Sequence, residues 1–205
     1  VKAYMEESSG NARPEVVTGL FRKAIREDPK FWEAYYNLGI VYFNNKKYTQ
    51  SLDQFNSVIK ALPNFDKPYY GRGLIYEKQK KYDLAIVDFK KVTEFNPNDY
   101  KPYYYLGKIS HRNNNITEAQ EYLDKSIALN PEFAASYYEL GNIHFNQKSY
   151  RKAIDPYRKA VELDTKNNRY HLRLGETYYR SQIYYNAYNE FRAVLDSSPR
   201  DAVAN

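Results

Sequence analysis

The sequence predicts an all-α fold, a solenoid of stacked antiparallel helix hairpins. Three observations carry this: a fixed 34-residue period, apolar residues at steps of three and four within each period, and a proline at one phase of it. The period shows first in paired tyrosines. "AYYNLG", "PYYGRG", "PYYYLG" and "SYYELG" put the first tyrosine of each pair at Tyr35, Tyr69, Tyr103 and Tyr137, with no insertion or deletion between them. Self-similarity of this length marks an array of supersecondary units, each too small to bury both its faces alone, so that neighbours must stack.

Counting units from Trp32, Asp66, Tyr100, Ala134 and Asn168, the eighth place is always glycine: Gly39, Gly73, Gly107, Gly141 and Gly175. Leucine precedes it at Leu38, Leu106, Leu140 and Leu174, with Arg72 the exception. The twentieth place is small (Ser51, Ala85, Ala119, Ala153, Ala187), and four residues later comes a large side chain (Phe55, Phe89, Leu123, Tyr157, Phe191). Two small places let helices approach closely, and the large one fills the space left between them. The apolar spacing marks two amphipathic helices per unit, about 32–44 and 48–61 in the first. Pro29, Pro63, Pro97, Pro131 and Pro199 follow the second helix and stop it, because proline lacks an amide donor and clashes with the preceding turn.

Through "WEAYYNLGIVYFNNKKYTQSLDQFNSVIKALPN" and its four successors the chain resembles the tetratricopeptide repeat (TPR) family. The resemblance implies a right-handed superhelical array with a concave and a convex surface. Its units are expected at 32–65, 66–99, 100–133, 134–167 and 168–201, after a partial unit in 1–31 and before the truncated start of a further element at 202–205. In the partial unit "PEVVTGLFRKAIREDPK" reads as a second helix, with Phe21 and Pro29 in phase, and "VKAYMEE" as its first. The sequence departs from the family at the fifteenth places, where Lys46, Lys80, Asn114, Lys148 and Gln182 stand instead of glycine, so these turns are expected to be strained or to use another geometry. Pro156 inside the second helix of the fourth unit is expected to cost the hydrogen bond to the Lys152 carbonyl.

Composition narrows the function classes. Cysteine is absent, which excludes disulfides, thiolate metal sites and cysteine nucleophiles. No apolar run approaches the roughly 18 residues of a membrane-spanning helix, so no membrane insertion is expected. Val1 stands at the start with no signal-like segment behind it, and only "AVAN" follows to cover Phe191, Val194 and Leu195. Both features lead to the expectation of a piece of a longer protein, or of self-association through the C-terminal repeat. His144 and His171 fall at interior places and are expected to be core imidazoles. Asp53 and Asp88 are read as solvated surface acids, and Arg72 as a surface arginine with its stem along the protein. No phosphate loop and no nucleophile–base pair appears; no enzyme activity, cofactor or metal is expected.

Adjacent helix residues point about 100° apart, so the paired tyrosines are expected to divide their roles. By family geometry the first of each pair packs inside, while Tyr36, Tyr70, Tyr104 and Tyr138 form a ladder along the concave groove. The other groove places are near neutral in the first unit and cationic in the third and fifth, where Lys101, Tyr105, Lys108, His111, Arg112 and Arg173 stand. With a net charge of +6, this cluster points to an acidic protein or peptide segment held against tyrosine. The leading expectation is a noncatalytic protein–protein interaction scaffold. Single-stranded nucleic acid, with bases stacked on tyrosine, ranks below it, as does a self-assembling scaffold.

Overall fold

The computed structural model describes residues 14–197, which form eleven α-helices and no strand. The "VKAYMEE" helix and the "AVAN" end lie outside the described residues. α1 is Pro14–Glu27. Five hairpins follow: α2 Trp32–Asn44 with α3 Tyr48–Ala61, α4 Asp66–Lys78 with α5 Tyr82–Phe95, α6 Tyr100–Arg112 with α7 Ile116–Leu129, α8 Ala134–Asn146 with α9 Tyr150–Leu163, and α10 Asn168–Arg180 with α11 Tyr184–Ser197. The chain divides between Pro97 and Asn98 into two compact units, the first holding α1–α5 and the second α6–α11.

In the first unit the packing turns on Phe55, which is 1% exposed. A Cβ added at Gly39 or at Gly71 would come within 2.6 Å of its ring, so α2 and α4 approach the same phenyl group from two hairpins only because both residues lack a side chain. Ser51 donates to the Gly39 carbonyl at 2.7 Å, bracing the same crossing. α1 docks through Arg22, whose Nη2 donates to the Tyr42 hydroxyl at 2.8 Å.

Arg72 is not a snorkelling surface residue. Its Nη2 and Nε donate to Asp88 Oδ1 and Oδ2 at 2.7 and 2.8 Å, its Nη1 to Asn56 Oδ1 at 2.7 Å, and its guanidinium lies 5.5 Å from the Tyr69 ring and 5.9 Å from that of Tyr76. Asp88, expected to be solvated, is 1% exposed. A carboxylate this deep must be paired, and the planar fork of an arginine pairs it at both oxygens. Asp53 is exposed, as expected.

The second unit repeats the small-against-large packing with other side chains: Gly107 faces Leu123, Gly141 faces Tyr157 and Gly175 faces Phe191. Tyr138, Tyr157, Tyr170, Leu174 and Tyr178 gather into one buried cluster with Ala153, Ala160 and Ala187. α9 continues through Pro156 without interruption. His171, expected as a bland core residue, has Nδ1 at 2.7 Å from Glu190 Oε2 and Nε2 at 3.1 Å from the Thr165 carbonyl.

All five hairpin turns place their fifteenth residue in the left-handed region, with φ of 58° at Lys46, 59° at Lys80, 63° at Asn114, 57° at Lys148 and 64° at Gln182. The reason lies in the helix ends. At the first turn Lys46 N donates to the Phe43 carbonyl and Lys47 N to that of Tyr42, the paired bonds of a Schellman cap, which satisfy carbonyls the helix leaves open. A side chain in this conformation costs about 1–2 kcal/mol, against about 0.5–1 kcal/mol of extra unfolded-state freedom for glycine. Lys80→Gly should therefore raise stability by about 0.5–1 kcal/mol. A denaturation midpoint that stays level or falls would contradict the strain.

Candidate partner-binding site

Asp99 caps α6: its carboxylate accepts the Lys101 amide at 3.0 Å and fixes the first turn. From there residues at steps of three and four share a face, which brings Tyr104, Lys108, His111 and Arg112 to one side of the helix. They line a concavity of about 640 Å³ together with Tyr138, Glu139, Asn142 and Asn146 of α8, and with Arg169, Tyr170 and Arg173 of α10. All of it belongs to the second unit.

Its floor is a carboxylate. Glu139 is 8% exposed, accepts from Asn142 Nδ2 at 3.2 Å, and has Oε2 at 3.9 Å from His111 Nδ1. His111 Nε2 lies 3.1 Å from Asn146 Nδ2, and the Tyr157 hydroxyl donates to Asn142 Oδ1 at 2.7 Å. Burial pushes the Glu139 carboxyl up, but the nearby His111 imidazole, the hydrogen bond from Asn142 and the Lys108 charge outweigh it and hold the group below the usual carboxylate range. The floor is thus a fixed, internally compensated anion. Burial also pushes the Tyr157 phenol up, so it remains a neutral donor.

Aromatic rings post the cations around this floor. Arg169 Cζ sits 4.8 Å from the Tyr138 ring centre while its Nε donates to the Tyr138 hydroxyl at 2.9 Å. Tyr138 packs in turn against Tyr170 at 4.8 Å and Tyr157 at 5.6 Å. Arg173 lies 5.2 Å from the Phe145 ring, and its Nη1 donates to Glu176 at 3.0 Å. Stacking on a ring face holds a guanidinium in place while its remaining N–H groups point elsewhere.

Of the side chains read from the sequence as contact residues, Tyr104, Lys108, His111, Arg112, Tyr138 and Arg173 line this one concavity. Tyr138 does so as a packed residue, 3% exposed, and not as an open rung of a ladder. Lys101 is exposed beside Tyr100, and Tyr105 lies edge-on to Tyr104 at 5.0 Å with the Lys108 ammonium 5.8 Å from its ring; neither lines the concavity. Tyr36 and Tyr70 belong to the first unit, where they pack on Phe55 at 6.0 Å and Phe89 at 5.9 Å. The paired tyrosines divide their roles less cleanly than expected, since the second of each pair is also a packing residue. Arg169, Glu139, Asn142 and Asn146 stand at the second, sixth, ninth and thirteenth places that family geometry turns to the groove, yet were not among the expected contact residues; Tyr170, at a third place, carried no such signal.

These features define a class: an all-helical repeat protein with a polar, aromatic-walled concavity. The tetratricopeptide-repeat profile matches residues 20–53, 67–99, 89–121 and 106–168. The chain belongs to the tetratricopeptide repeat family, a family of protein-interaction scaffolds. Solved structures share the fold. MamA from Desulfovibrio magneticus RS-1 is 24% identical over 82% of this chain and 95% of that one, with a TM-score of 0.72. YrrB, described as a TPR protein with an unusual peptide-binding site, is 20% identical over 90% and 95%, at 0.67. A chain of the Cut9–Hcn1 hetero-tetramer of the APC/C is 22% identical over 91% of this chain and 37% of its own length, at 0.76. A comparison with curated protein sequences finds no match. Among the described residues no helix is long and apolar enough to cross a membrane, and no three His, Cys, Asp or Glu side chains are placed to hold a metal ion.

Proposed function

We propose that the protein is a noncatalytic interaction module whose second unit holds an acidic segment of a partner protein in the concavity between α6, α8 and α10. The observation that carries this reading is its charge balance. Four basic side chains, Lys108, Arg112, Arg169 and Arg173, line the concavity with a single lining carboxylate, Glu139, that is already buried and compensated, and Arg173 also donates to Glu176. The surplus attracts anions, and the half-buried Tyr104 beside it offers apolar contact to the same ligand. Nucleic acid fits less well, because base stacking needs open ring faces and those of Tyr138 are taken by Tyr157, Tyr170 and Arg169.

Reversing Lys108 and Arg112 together to glutamate should weaken binding of a glutamate-rich peptide by about tenfold or more, through lost steering and new repulsion, with helicity unchanged. Lys101→Glu, outside the concavity, should change it less than about threefold. Affinity for the peptide should fall with added salt. Equal losses from both variants, or tighter binding of single-stranded RNA than of the peptide, would overturn the reading.

A further inference from the structure

The turns of the fourth and fifth hairpins line a second concavity, of about 460 Å³, that lies wholly within the second unit. Lys148 reaches it from the α8–α9 turn, Arg151 and Lys152 from the first turn of α9, and Arg180 from the end of α10. No carboxylate lines it. One turn further along α9, Asp155 is taken by Arg158 Nη2 at 2.6 Å, and Glu176 accepts from Arg173 at 3.0 Å while Arg180 comes only within 3.9 Å of it. At the same places of the preceding hairpin pair stand Asn114, Thr117, Glu118 and Asn146, so the cluster of cations is a property of this chain and not of the repeat. Two features beyond charge point the same way. Among the described residues the backbone amides of Tyr150 and Arg151 have no acceptor and Ser149 ahead of them makes no capping bond, which leaves open the N–H groups at the positive end of the α9 dipole. The Ser181 hydroxyl oxygen, in the α10–α11 turn, is buried without a hydrogen-bond partner, where a buried hydroxyl ordinarily has one.

We propose that this concavity binds a phosphate group. A phosphate monoester carries a charge of about −1.5 to −2 at neutral pH on three acceptor oxygens. The concavity supplies the complement: four cations, two open backbone amides at a helix N-terminus, and serine hydroxyls. Two of the cations are arginines, whose planar forks match phosphate oxygens in pairs, and the lysines add charge without fixing direction. A lone carboxylate, with two oxygens and one charge, leaves part of this donor set unused. A soluble phosphorylated molecule and a phospholipid headgroup present the same chemistry to the site. The inference is independent of the acidic-segment reading, which concerns the concavity between α6, α8 and α10.

Inorganic phosphate is titrated into the isotope-labelled full chain at constant ionic strength. The amide resonances of Tyr150 and Arg151 are expected to shift saturably, and acetate in its place should bring no saturation. These two amides report this concavity and not the one lined by Arg169 and Arg173. Arg151→Gln with Arg180→Gln should weaken the phosphate response at Tyr150 by about tenfold, with helicity unchanged, because both side chains are exposed. Lys125→Gln, on the exposed face of α7, should leave it as it was. Cosedimentation with vesicles of phosphatidylcholine and phosphatidic acid tells the sources apart: retention that the arginine variant loses supports a headgroup, and no retention beside saturable amide shifts supports a soluble phosphate. No saturable shift at Tyr150 and Arg151, equal saturation by acetate, or an undiminished response in the arginine variant would overturn the proposal.

Discussion

Arg72→Leu is expected to destabilise the first unit by about 3–5 kcal/mol, although leucine stands at the equivalent place in four of the five hairpins. The substitution adds apolar surface where the repeat favours it, yet it strands the Asp88 carboxylate, 1% exposed, without its bidentate partner. Losing one member of a buried pair outweighs the gain from one more leucine. Arg72→Leu with Asp88→Ala should recover most of the loss, since replacing both members removes the uncompensated charge. In the single variant the deficit should also depend on pH. Burial already pushes the Asp88 carboxyl up against the lowering pull of Arg72, and without the arginine it rises further. A carboxyl whose folded pKa is raised takes up a proton on folding, so stability falls as pH rises, and the deficit is full above that raised value and shrinks below it. Hydrogen exchange in α4 and α5 reads the effect locally. A deficit under about 1 kcal/mol, or one that grows with acid, would contradict a buried ion pair.

Phe55→Ala should cost a similar amount, about 3–5 kcal/mol, by opening a cavity where two hairpins meet. The ring is bounded by Gly39 and Gly71, and the neighbouring helices cannot close on the void without shifting backbone. Tyr36 leans on the same ring at 6.0 Å, so its packing should loosen too. Denaturant unfolding measures the loss. A change below about 1 kcal/mol would mean that the unit collapses around the gap and that the two glycines are not matched to the ring.

Much of this fold was legible because period, small places and large places all report one geometry. Gly39 and Phe55 are sixteen residues apart in sequence and touch in space, as the pattern implies. Side-chain pairs within a hairpin were harder to read. The twenty-third place carries Asp88, Tyr122 or Glu190 in different units, and each meets a residue of its own first helix: Arg72 at the seventh place, Tyr103 or His171 at the fourth. Read one residue at a time, Arg72 and Asp88 look like surface charges; as a pair across the two helices of one hairpin they explain each other. The left-handed turns were hidden for another reason. Lysine has no preference for that conformation, which the Schellman cap imposes on whatever residue stands there. At the candidate site the cations of α6 were visible as a helix face, but the buried Glu139 and the stacking of Arg169 on Tyr138 depend on how three first helices meet.

Binding of an acidic segment in the concavity of the second unit between α6, α8 and α10 is tested most directly by amide chemical-shift mapping. Titrating a glutamate-rich peptide into the isotope-labelled chain should move resonances of Lys108, Arg112, Asn142, Arg169 and Arg173, with little change at the exposed Glu121 and Lys125 of α7 or Arg158 and Lys159 of α9. Shifts confined to those second-helix positions, with the concavity silent at saturation, would contradict it.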